Sequence, residues 1–151
     1  MNINVSNPIM KNALTKCLDV YDIKYKLKTN TLNITSKTNP LTSKSIDTIN
    51  QNTGELFKDM KIMLYFLHET NHSIIYFSLN DIILIHNHYF FINQDKIVPM
   101  ESNIITIEYP IQLDEFASVD LKIIEEVPFN VPIESCYYSL ANILYYLLTG
   151  K

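Results

Sequence analysis

Hydrophobic and polar positions along the chain divide it into a few helical stripes and several short extended runs. In "NPIMKNALTKCLDVYDI" the residues Ile9, Leu14, Leu18 and Tyr21 recur at helical spacing and predict a first helix. The following "KTNTLNITSKTNPLTSKSIDTINQNT" is rich in Thr, Asn and Ser and contains Pro40. It reads as a long loop, with one short helix near Ser43–Ile49. In "GELFKDMKIMLYFLHETN" the stripe Leu56, Met60, Met63, Leu64 and Leu67 predicts a second, stronger helix, with Thr53 and Gly54 at its start.

Extended segments dominate the middle of the chain. "SIIYF", "DIILI" and "YFFIN" each have the length and residue types of a short strand, and the polar turn "HNH" separates the last two. "QD" marks a tight reversal into "KIVPM", and "NIITIEYPI" alternates well enough for one more strand. "DEFASVDLKIIEE" and "ESCYYSLANILYYLLTG" then read as helices, the second apolar on nearly all sides and so expected at the centre of a domain. The resulting class is α+β, mainly helical with a small antiparallel sheet.

Composition sharpens this picture by exclusion. With 151 residues, 47% of them apolar, the chain is long enough for one domain with a sizeable core. Its formal net charge of −4 offers no electrostatic footprint for nucleic acid. Its 12 basic residues are all lysine, so no planar fork exists for bidentate phosphate or carboxylate recognition, and no arginine finger in cis. Gly54 and Gly150 are the two glycines, which excludes both the dinucleotide-binding fingerprint and the P-loop. Cys17 and Cys136 are too few and too far apart for a disulfide framework or a zinc site, and a reducing, intracellular and cytoplasmic location follows. The N-terminal "MNINVSNPIMKN" lacks the apolar core of a signal peptide, and no apolar run reaches the roughly 18–20 residues of a membrane span.

Candidate chemistry is sparse. His86 and His88 flank Asn87, with His68 and His72 upstream, but no Cys or carboxylate sits at a spacing typical of zinc ligands, so the pair reads as a solvated turn. Asp120, Glu125 and Glu126 read as a solvated helix face. Tyr137, Tyr138, Tyr145 and Tyr146 fall at helical positions and read as packing residues whose hydroxyls need partners if buried.

The order of the segments adds something their separate features do not. A helix ending in "YFLHE", a strand "SIIYF", a loop "SLND" and a strand "IILI" resemble the C-terminal lobe of protein kinases around the catalytic loop H-R-D-L-x-x-x-N. "YYSLANILYYLLTGK" resembles the kinase helix that reads Trp/Tyr-Ser-Leu-Gly-x-x-Leu-Tyr-x-Leu-Leu-Thr-Gly. "FASVDL" stands where kinases carry A-P-E-L. The resemblance covers roughly residues 54–151 and implies a kinase-like C-lobe core that is apparently truncated after its buried helix. Residues 1–53, an N-terminal helix plus polar loop, stay unassigned.

The same resemblance implies that the chemistry is lost. It places Tyr76, Phe77 and Ser78 at the His, Arg and catalytic Asp positions of the loop, and Asp81 at the metal-binding Asn. A serine hydroxyl is not basic enough to replace the carboxylate, and loss of a general base costs about 10²–10⁴ in rate. Asp81 remains as a candidate metal ligand, and Asn93 or Asp95 takes the other metal-binding role, since "INQDK" stands where D-F-G is expected. Cys136 takes the place of the Asp that ties the central helix to the loop, and Asp120 that of the Glu in A-P-E.

The implied protein is a catalytically inactive pseudokinase without a cofactor, acting through a protein partner or as a homo-oligomer. The alternatives are a weak Mg–ATP-dependent phosphotransferase using Asp81 and Asp95, and an unrelated α+β structural protein. The bias toward residues with A/T-rich codons suits a large DNA virus or a protist parasite, and hence host cytoplasm or a virion.

Overall fold

The computed structural model describes residues 1–40, 53–110, 112–122 and 126–149. Three long helices and many short strands share one core. Helix α1 (Pro8–Val20) starts where expected: Pro8 occupies the first turn, and the Asn7 side chain accepts from the N–H groups of Ile9 (2.9 Å) and Met10 (3.2 Å). It buries Met10, Ala13, Leu14, Cys17 and Leu18. Helix α2 (Thr53–His68) buries all five residues of its stripe, Leu56, Met60, Met63, Leu64 and Leu67. The two helices meet where Cys17 Sγ lies 3.7 Å from Met63 Sδ and Tyr21 reaches Asp59.

Strands β1 (Asn2–Asn4), β2 (Tyr25–Leu27) and β3 (Thr31–Ile34) form an antiparallel sheet in the order β1-β3-β2. Strands β4 (Thr38–Pro40), β6 (Ile82–Ile85) and β7 (His88–Phe91) form a second, in the order β4-β6-β7. The third contains β5 (His72–Ile74), β8 (Ile97–Glu101), β9 (Ile104–Ile107) and β10 (Phe129–Pro132), ordered β10-β9-β8-β5. Two hairpins close with two-residue turns that place consecutive residues at positive φ: His86 (49°) and Asn87 (65°), then Ser102 (51°) and Asn103 (64°). Turns of that kind match the right-handed twist of the strands they join.

A short helix α3 (Val119–Lys122) and the long α4 (Glu134–Thr149) complete the elements. Helix α4 turns Cys136, Ser139, Leu140, Ile143 and Leu147 inward. Among the described residues the apolar core is continuous, and Leu32 and Ile34 belong to it as fully as Leu140 and Ile143 do.

Four expectations are corrected. The protein is α+β, but the reading of a mainly helical kinase-like C-lobe with one small sheet fails: ten strands in three antiparallel sheets are present among the described residues. The stretch after α1, read as loop, contains β2, β3 and β4; strands of three or four residues are too short for a period-2 signal. The helix read over "DEFASVDLKIIEE" is only the four-residue α3 where described. Helix α4 is not enclosed, because Tyr138, Tyr145 and Leu148 are more than half exposed. The helix anticipated near Ser43–Ile49 lies outside the described residues, as does Glu125.

Candidate functional site

The segment between β5 and β6 is held inside the protein. Ile75, Tyr76, Phe77 and Ser78 are all buried in succession, so the segment is covered on both faces. The Phe77 ring meets Phe91 edge to face at 5.7 Å. The Phe77 N–H donates to Ser139 Oγ of α4 (2.7 Å), and that hydroxyl donates in turn to the Cys136 carbonyl (2.7 Å). The tie between loop and helix therefore passes through Ser139, one turn beyond Cys136. Burial pushes the Cys136 thiol up to about 12, so it is a neutral packing group at ordinary pH.

Polar groups gather around Tyr76 and Asp81. The Tyr76 hydroxyl donates to the Gln112 carbonyl (2.9 Å), and burial, reinforced by the charges of Asp114 and Asp81, pushes it up to about 12. Ser78 Oγ donates to Asp114 Oδ2, while Asp114 Oδ1 accepts from the Phe116 N–H (2.9 Å). Asp81 is buried, in a single 3₁₀ turn (Leu79–Asp81). Its Oδ2 lies 2.5 Å from Lys96 Nζ and its Oδ1 accepts from Asn93 Nδ2 (2.8 Å). Lys96 also lies over the Tyr76 ring, 3.5 Å from its centroid. The Asp81 carbonyl accepts from the Ile92 N–H (2.8 Å), so backbone and side chain are both fixed.

The structure brings Tyr76, Ser78 and Asp81 into one neighbourhood and leaves Asp95 outside it. Asp95 is exposed on the 3₁₀ turn Gln94–Lys96; its backbone N–H binds Asn93 Oδ1 (3.1 Å) and its carbonyl accepts from the Tyr109 hydroxyl (2.7 Å). Lys96, Asp114 and Ser139 were missed in the sequence. Each is remote from the loop along the chain, and single lysines, aspartates and serines carry no spacing signal.

The His86/His88 turn also divides. His86 is exposed and pairs with Ser36 Oγ (3.0 Å). His88 begins β7, and its ring stacks on Tyr21 with centroids 3.5 Å apart and an interplanar angle of 13°. It faces Glu55 and Asp59, carboxylates too distant in sequence to count as a ligand spacing.

No family model, no curated protein and no solved structure matches the chain. Among the described residues, no helix is long and apolar enough to cross a membrane.

Proposed function

We propose that the protein is non-catalytic and acts by binding protein. The observation that carries this reading is the internal closure of Asp81. Both of its carboxylate oxygens are taken by groups of the same chain, one of them the ammonium of Lys96. A Mg²⁺ ion needs open oxygen ligands and retains several of its waters. To bind here it must displace a buried cation from a buried anion. The Ser78 hydroxyl likewise spends its proton on Asp114 and is no base itself.

Support for binding as the activity comes from α4. Tyr138, Tyr145 and Leu148 are spaced seven and three residues apart, so they form one stripe, 55–60% exposed. Large exposed side chains on one face of a long helix suit a protein partner or a second copy of the chain.

The test is thermal unfolding of the full chain with increasing Mg²⁺–ATP. The expected midpoint is unchanged at all concentrations. A dose-dependent rise of several degrees that Asp81→Asn abolishes establishes the weak phosphotransferase instead.

A further inference from the structure

We infer that Glu55, Asp59 and His88 form a binding site for a divalent transition-metal ion, independently of the loop described above. Glu55 and Asp59 are four residues apart on α2 and so share a face of it, while His88 approaches from the start of β7. One ligand atom from each lies within 4.8 Å of the others. His88 Nδ1 is 3.5 Å from Asp59 Oδ2 and 3.7 Å from Glu55 Oε2. With those separations, a point equidistant from the three atoms lies no more than about 2.4 Å from each. Zinc takes nitrogen and oxygen ligands at about 2.0–2.2 Å, so a contraction of a few tenths of an ångström suffices.

Two further observations point to an occupant. His88 Nδ1 and Glu55 Oε2 are shielded from solvent, face one another across the site, and make no hydrogen bond. A metal ion between them satisfies both lone pairs at once. The surroundings also hold the ligands in place, as the outer partners of metal ligands do. Asp59, with a fully buried side chain, accepts from the Tyr21 hydroxyl (2.5 Å) on Oδ1 and from the Tyr89 N–H (2.8 Å) on Oδ2, and Tyr21 also stacks on the His88 ring.

The donor set selects the class of ion. One imidazole with two carboxylates and no thiolate suits Zn²⁺ or a similar first-row ion, whereas Ca²⁺ and Mg²⁺ prefer oxygen alone. The two carboxylates place two negative charges together, with the exposed Lys58 ammonium 3.9 Å from Glu55 Oε1 on the outer side, and a divalent cation between them adds to that compensation. The competing occupant is a proton: a charged His88 shared between the carboxylates explains the same closeness without a metal. The site joins α2 to β7, and the ion's role is to fix that junction.

Titration calorimetry of the full metal-free chain with ZnCl₂ near pH 7.5 separates the two, with Co²⁺ absorption reporting the ligand set. One Zn²⁺ per chain is expected to bind with a Kd below about 10 µM and to raise the unfolding midpoint. Glu55→Gln and His88→Gln, both at half-buried positions, are each expected to weaken binding at least tenfold. Circular dichroism in the absence of metal confirms that the variants fold. No binding at 1:1 overturns the proposal, and so does Zn²⁺ affinity that neither variant changes.

Discussion

Replacing Lys96 by Met tests how the loop is held. The substitution keeps the apolar stem against Tyr76 and removes the ammonium that sits 2.5 Å from Asp81 Oδ2. The side chains of Lys96 and Asp81 are 13% and 6% exposed, so the pair lies inside the protein. Its net worth against an apolar pair is small, because desolvation of the two ions offsets most of their attraction. Breaking it is another matter, since Asp81 is then left buried and charged with Asn93 as its remaining side-chain donor. Losing one partner of a buried pair costs about 3–5 kcal/mol. For a domain of this size each kcal/mol lowers the midpoint by about 2–4 °C, so Lys96→Met is expected to melt about 6–20 °C lower. Adding Asp81→Leu removes the stranded charge, and the double variant is expected to recover most of the loss. Urea unfolding of both single variants and the double variant, followed by circular dichroism, gives the coupling energy directly. A loss below about 1 kcal/mol for Lys96→Met, the range of an exposed pair, refutes the reasoning: Asp81 is then solvated and open to a cation after all.

Three other expectations follow from the same geometry. Ser139→Ala leaves the buried Phe77 N–H without its acceptor and should cost about 1–3 kcal/mol, whereas Ser139→Cys, which keeps an acceptor, should cost less; equal losses would show that packing alone matters. Both thiols are buried and pushed up to about 12, Cys17 by burial and then by Asp59, Cys136 by burial; a disulfide reagent at pH 8 should find no reactive thiol in the native chain and two after denaturation. Burial lowers the His68 pKa below its usual 6.5, and its shielded Nε2 has no partner, so the unfolded chain binds that proton more readily than the folded one. Stability from this residue is complete above pH 6.5 and declines as pH falls through that value toward the lower folded pKa; His68→Gln should flatten this part of the pH–stability curve, and an unchanged slope would exclude the assignment.

The sequence by itself determined the two helical stripes, most strands of the middle region and the α+β class, although the strand read over "SIIYF" ends at Ile74. Those features are local: a period of 3.6 over Leu56–Leu67, or a run such as "IILI" beside a turn such as His86–Asn87, writes its structure within a dozen residues. It also limited the chemistry, because no arginine and two glycines remove whole classes of phosphate site wherever the chain goes. The short strands β2–β4 were not legible, since three residues gain their extended form from pairing with a partner, β4 with β6 some 45 residues later.

Tertiary structure alone decided the sites. Asp81 reads as a free metal ligand until Lys96 and Asn93 fold onto it, and Asp114 and Ser139 reach the loop from 36 and 62 residues away. His88 reads as half of a solvated turn until α2 carries Glu55 and Asp59 to it. A side chain's charge and donors are set by its identity, but whether they face water, a partner or a cation depends on which distant element packs against it.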